Sequence, residues 1–158
     1  MHTIAINPIG IIHTGENGVY AEIFPAYRPA LEGLTGFGHI QLLWWFHGCD
    51  QKTRRQTLTE TNPYRHGPPR MGSFATRSPN RPNPIGISCA GLVGLDLEQG
   101  LLHLDYVDAW DGTPLLDVKP YTPSLDRVAA PVVPNWCSHW PQDVESSGKF
   151  DWEAEFTF

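Results

Sequence analysis

Residues 37–48 read FGHIQLLWWFHG, and the assignment of this run decides the fold class. Its apolar stretch, residues 40–46, is the length of a strand and far short of the roughly 20 apolar residues a membrane-spanning helix needs. A continuous apolar run of this length reads as a strand buried on both faces, and its aromatic side chains as the centre of the core.

Working outward, the neighbouring signals are also strands. Residues 3–14, TIAINPIGIIHT, are rich in β-branched residues but interrupted by Asn7-Pro8 and Gly10, which predicts an edge or kinked strand, because proline cannot donate to a central ladder. Residues 18–24 alternate as a second strand, and residues 26–34 hold enough helix formers for about two turns. Residues 49–69 dissolve into polar residues, proline and glycine, a connection long enough to be functional or mobile. Beyond it, residues 71–76 predict a strand, residues 85–98 a long strand bent at its glycines, and residues 100–118 a hairpin turning at Asp111-Gly112. The tail, residues 134–158, predicts a short helix and a final strand, with its tryptophans packed onto the barrel.

No alternation of strands with long amphipathic helices appears, which disfavours a doubly wound sheet. The expected fold is all-β, a closed or partly open barrel with one or two short helices. At 158 residues and 41% hydrophobic content the chain is expected to form one domain, with a core over residues 4–123 and an extension over 124–158. Three widely spaced cysteines argue against a disulfide framework, and no basic segment followed by an apolar stretch opens the chain. A cytoplasmic protein without a membrane span is expected.

Net charge is −6, unfavourable overall for a polyanionic partner. Its distribution is uneven. Residues 52–81 carry seven basic residues against the single acid Glu60, a net +6, which leaves −12 on the rest of the chain. That asymmetry points to an electropositive site on an acidic body, the alternative being a solvated loop.

Several catalytic patterns fail. Residues 86–90, GISCA, place Ala90 where a nucleophile elbow needs glycine. His39, His47 and Cys49 lack any paired ligand spacing, so no metal is expected. Neither a Gly-x-Gly-x-x-Gly fingerprint nor a Walker loop is present. Asn62-Pro63-Tyr64 lacks one proline of the Asn-Pro-Pro-Tyr grip and reads as coincidence.

Two dense clusters remain. In residues 75–88, ATRSPNRPNPIGIS, Pro79, Pro82 and Pro84 fix φ and hold Ser78, Arg81 and Asn83 extended. A loop stiffened in this way presents Arg77, Arg81 and the Asn83 amide with little entropy left to lose, in the manner of a binding loop. In the second cluster Asp108, Asp111 and Asp117 stand with Lys119 and Tyr121 near strand ends. Acids there could hold hydroxyls or orient an amine; alternatively Asp111-Gly112 makes a turn and Lys119 pairs with a carboxylate.

Residues 71–88, MGSFATRSPNRPNPIGIS, and 110–123, WDGTPLLDVKPYTP, together resemble the paired signature of the TsaA-like family, and residues 31–47, LEGLTGFGHIQLLWWFH, are similar to its helix-and-strand segment. The likeness covers residues 4–123. It implies a β-barrel homodimer that uses S-adenosylmethionine to methylate N6 of threonylcarbamoyl-adenosine beside the tRNA anticodon. Carried over by position, cofactor contacts fall on Phe46, His47, Arg77, Ile87, Tyr106, Val107 and Asp108. Asp111, Asp117, Lys119 and Tyr121 become candidates for catalysis, and Arg54, Arg55, Arg81 and Asn83 for binding the tRNA substrate. The family's Gln-Pro-Gly loop after the first strand is missing, and the chain stops without the additional C-terminal domain of longer members. A non-catalytic binding module or a small-molecule methyltransferase therefore stays open.

Overall fold

In the computed structural model, which describes residues 4–157, the decisive run becomes strand β3, His39–Trp45. Only one of its faces is fully buried. Ile40, Leu42 and Trp44 are almost wholly inaccessible, whereas Gln41, Leu43 and Trp45 are half-buried. The difference from the expected two-faced burial has a simple cause: the sheet closes on itself, so each strand has one inner and one outer face.

The strands are β1 (Gly10–Gly15), β2 (Gly18–Ile23), β3, β4 (Thr59–Thr61), β5 (Arg70–Gly72), β6 (Ile85–Asp96), β7 (Leu101–Leu104) and β8 (Thr113–Pro120). Six of them close an antiparallel barrel in the order β1-β2-β7-β6-β3-β8. β1 begins only at Gly10, after the Asn7-Pro8 interruption that sequence reading placed inside the strand; Thr3 lies outside the described residues. The two turns of helix expected at residues 26–34 are a 3-10 helix, Pro25–Leu31.

The described residues form two compact units, one of residues 4–49 and 84–127, the other of residues 50–83 and 128–157. The first unit is the barrel. Its interior is filled by Ile12, Ala21, Ile23, Ile40, Leu42, Ala90, Leu102 and Leu115, each at most 1% exposed, and each large member contributes about 1.5–3 kcal/mol by leaving water. Trp44 caps this core, its indole N–H donating to Ser88 Oγ at 3.1 Å.

The predicted hairpin of residues 100–118 does not form. β7 pairs with β2 and β6, whereas β8 pairs with β1 and β3, so residues 105–112 run from one side of the barrel to the other. Asp111-Gly112 still turns the chain, with Gly112 at φ 77° and its N–H bonded to Ile12 O at 2.9 Å.

The second unit holds a two-stranded ribbon, β4 with β5. The long polar connection at residues 49–69 includes a single-turn helix, Lys52–Arg55, and β4. Of the strand predicted at residues 71–76, Met71 and Gly72 belong to β5, and Ser73–Ala75 is a 3-10 turn. The tail tryptophans form this unit's own core. Tyr64 stacks on Trp136 with centroids 5.4 Å apart and meets Trp140 edge-on at 5.1 Å, while Trp140 and Trp152 lie 5.3 Å apart. Tyr64, the third residue of Asn62-Pro63-Tyr64, is thus consumed by aromatic packing. The tail contributes two further single-turn helices, Val144–Ser147 and Trp152–Glu155, each capped by an aspartate that accepts from a backbone N–H.

Candidate functional site

The barrel brings together the segment that leaves β3 and the loop of residues 105–112. Backbone bonds turn the chain sharply after β3, with Phe46 N donating to Pro84 O at 2.8 Å and Cys49 N to Phe46 O at 2.8 Å. Phe46 then packs edge-on to Trp44 at 4.3 Å and against the core that includes Val107. His47 Nδ1 lies 3.4 Å from Thr113 Oγ1, and its ring meets Trp110 edge-on at 6.3 Å. Gly48 abuts the Trp110 ring so closely that a Cβ there would sit 2.6 Å from a ring carbon.

Asp105 fastens the start of the loop. One carboxylate oxygen accepts from both Gly91 N and Tyr106 N at 2.7 Å. Beyond this anchor Val107 plugs into the core at 5% exposure, while Tyr106 and Trp110 stand 65% and 69% exposed. Desolvation, with the Asp108 charge beside it, holds the Tyr106 hydroxyl above its ordinary pKa. Phe46, His47, Tyr106, Val107 and Asp108 thus lie on two segments joined at His47, Trp110 and Thr113. Ile87 sits on the outward face of β6, paired with Leu43 of β3, and is half-exposed. Trp110 and Thr113 were absent from the sequence-derived candidates, although an aromatic just before an Asp-Gly turn is a visible signal.

The four catalytic candidates are spread along β8. Asp111 precedes the strand, where its Oδ1 accepts from Thr14 N at 3.0 Å and lies 3.7 Å from His13 Nδ1, beside a shallow polar cleft at the β1–β2 turn. Asp117 and Lys119 share an outward face as an ion pair at 2.8 Å, and Asp117's hydrogen bond and charge raise the lysine pKa. Tyr121 follows the strand and meets His39 edge-on at 6.2 Å. Eight strand residues at about 3.3 Å each put Asp111 and Tyr121 roughly 25 Å apart.

In the second unit the proline-rich loop is held from within. Thr76 Oγ1 donates to Ser73 O and accepts from Ser78 N; Ser78 Oγ donates to Glu60 and accepts from Asn80 N. The Arg77 backbone hydrogen-bonds the buried Tyr64 hydroxyl, which burial nevertheless holds above its ordinary pKa, and the Arg77 side chain is exposed. Arg81 Nη1 turns back onto the carbonyls of Thr76 and Ser78 at 3.4 and 3.3 Å. From the helix Lys52–Arg55, Arg54 reaches Asn80 Oδ1 at 3.4 Å, while Arg55 reaches Pro82 O at 2.9 Å and Asn83 Oδ1 at 3.5 Å. The four substrate candidates, Arg54, Arg55, Arg81 and Asn83, are therefore parts of one hydrogen-bonded loop.

The sequence profile described as the tRNA-methyltransferase O N-terminal domain matches residues 7–127. A probable S-adenosyl-L-methionine-binding protein of Pyrococcus abyssi is 40% identical over 140 residues, covering 78% of this chain and 71% of its own. The tRNA (adenine(37)-N6)-methyltransferase of Escherichia coli is 43% identical over 101 residues, 63% of this chain and 42% of that one. A crystal structure of TrmO from Pseudomonas aeruginosa superposes with a TM-score of 0.63 at 32% identity, covering 83% of this chain and 62% of that one. The chain thus spans less than two thirds of the length of both bacterial proteins.

Proposed function

From the premise that this chain belongs to the tRNA-methyltransferase O N-terminal domain family, we propose that it is an S-adenosylmethionine-dependent methyltransferase acting on N6 of a tRNA adenosine. The acceptor we propose is the threonylcarbamoyl-adenosine beside the anticodon, and the place of action the cytoplasm, where tRNA is found. One observation carries the reading: the barrel joins Phe46 and His47 to the loop bearing Tyr106, Val107 and Asp108, although some sixty residues separate them in sequence. The same two segments hold five of the seven contacts that the family resemblance implies.

The residues present suit this cofactor. Phe46 and the exposed Tyr106 offer apolar and aromatic faces for an adenine, and Asp108 is an exposed carboxylate able to accept from ribose hydroxyls. Ile87 is a further proposed contact on the barrel; the exposed Arg77 guanidinium of the second unit is, taken by itself, suited to a carboxylate. The bound cofactor supplies an activated methyl group on a sulfonium. What this chain contributes is alignment: rigid backbone at the Asp105 anchor fixes the contact groups of the barrel loop in advance, and positioning alone can supply much of a transfer's rate advantage. The amine that gains the methyl must lose a proton; of the four candidates the carboxylates Asp111 and Asp117 are able to take it, while Lys119, the cation of the pair with Asp117, and Tyr121 are candidates to hold the acceptor. We further propose a homodimer, supported by the exposed apolar groups Val93, Tyr106 and Trp110 on the barrel unit.

A second reading is favoured by one observation. Asp111 and Tyr121 lie beyond opposite ends of β8, so the four candidates do not form one catalytic cluster within the barrel. A module that binds the cofactor without turning it over would show that arrangement. Calorimetry with S-adenosylmethionine, followed by transfer of labelled methyl to bulk tRNA, separates the two. Binding with transfer supports the methyltransferase, binding without transfer the module, and absence of binding overturns both.

A further inference from the structure

Glu155 is 4% exposed, and a carboxylate that far from water needs strong partners. It finds two histidines. His139 Nε2 lies 3.1 Å and His66 Nδ1 3.4 Å from the same oxygen, Oε2, and the donor atoms of all three residues lie within 4.8 Å of one another. The second carboxylate oxygen, Oε1, is buried and completes no hydrogen bond of good geometry among the described residues; the nearby Trp140 indole N–H is in the same condition. All of these groups belong to the second unit, and His139 and Glu155 lie beyond the family-matched residues 7–127.

We propose that His66 Nδ1, His139 Nε2 and the Glu155 carboxylate bind a divalent transition-metal ion of the zinc class. With bonds of about 2.0–2.2 Å, tetrahedral ligands stand about 3.3–3.6 Å apart. The two histidine–carboxylate distances already bracket the lower end of that range. The donor atoms, all within 4.8 Å of one another, need only draw together, and the two histidine side chains, 58% and 41% exposed, have room to do so. The same exposure leaves a path for the ion and a fourth position open to water.

Backbone hydrogen bonds hold the segments that carry the three ligands. Arg65 N donates to Glu155 O at 2.9 Å, tying the residue beside His66 to the helix Trp152–Glu155, and Trp140 N donates to Cys137 O at 3.0 Å across the turn that presents His139. Phe150 lies 6.1 Å from the His139 ring. Each imidazole needs only the tautomer that turns a lone pair inward. Two nitrogens and one oxygen select zinc, nickel, copper or cobalt over magnesium and calcium, which take all-oxygen ligand sets. The set shows no short ligand spacing in the sequence because its members are residues 66, 139 and 155.

The test is calorimetric titration of the purified full chain with Zn2+, repeated with Mg2+ and with the variants His66→Ala and Glu155→Gln. One Zn2+ per chain, no heat with Mg2+, and affinity lowered at least about 100-fold by His66→Ala are expected, together with a visible absorption spectrum of low-coordinate Co2+ in the same site. Zn2+ should also raise the wild-type Tm by several degrees and leave that of His66→Ala unchanged. His66 is the more exposed ligand, so its removal spares the fold even where Glu155→Gln does not. No uptake of Zn2+ by the wild type, or equal uptake by His66→Ala, would overturn the proposal.

Discussion

Trp44 can lie across the barrel interior only because residue 86 on the adjacent strand has no side chain: a Cβ at Gly86 would stand 2.5 Å from two indole carbons. Gly86→Ala should therefore displace the indole, break its bond to Ser88, and cost about 1–3 kcal/mol, read as a lower urea midpoint with unchanged slope. At the same scale, Asp105→Ala removes the acceptor for Gly91 N and Tyr106 N. It should weaken S-adenosylmethionine binding more than it lowers the unfolding midpoint, because the freed segment carries Tyr106, Val107 and Asp108. Equal affinity in calorimetry would detach that loop from the proposed cofactor site. Stiffness of the proline loop was legible in the sequence, since proline fixes φ wherever it stands. The direction of Arg81 was not. A guanidinium can serve a ligand or its own loop, and here two carbonyls of residues 76 and 78 take it.

Among elements, strands were legible and their partners were not. β6 and β8 each appeared as a run of suitable residues, because strand preference is local. The Asp-Gly signal at 111–112 then suggested a hairpin, yet β8 is claimed by β1 and β3 on the far side of the closed barrel. Pairing is settled by burial across the whole sheet, which no two-residue turn encodes. The short helix Lys52–Arg55 was likewise invisible, having too few residues for a periodic pattern, yet it braces the proline loop through Arg54 and Arg55. Arg55→Ala should accordingly speed amide exchange across residues 76–83 while leaving exchange in β3 and β6 unchanged. A charge reversal at Arg54 and Arg55, made to test tRNA binding, would also loosen that loop, so the neutral Arg55→Ala control must accompany it. Unaltered exchange at residues 76–83 would show that the brace contributes nothing.

At the scale of the whole molecule, all seven basic residues of the window 52–81 fall within the second unit. If that unit engages phosphates, affinity for tRNA should fall steeply with salt despite a net charge of −6, because a phosphate senses charges within about a Debye length, roughly 8 Å at physiological salt. Filter binding at several salt concentrations checks this, and a flat salt dependence would remove the basic window from the interface. The barrel and its family signature were readable from two long motifs, whereas the aromatic and histidine clusters of the second unit were not, since each draws on residues some seventy or more positions apart. Methyl transfer to the N6 of a tRNA adenosine is the activity proposed for this chain. Purified protein incubated with methyl-labelled S-adenosylmethionine and bulk tRNA should transfer label to RNA, recovered after digestion as a modified adenosine carrying the label at N6, and Tyr106→Ala should reduce the transfer at least about tenfold. Protein that is folded and leaves the tRNA unlabelled at every cofactor concentration would contradict it.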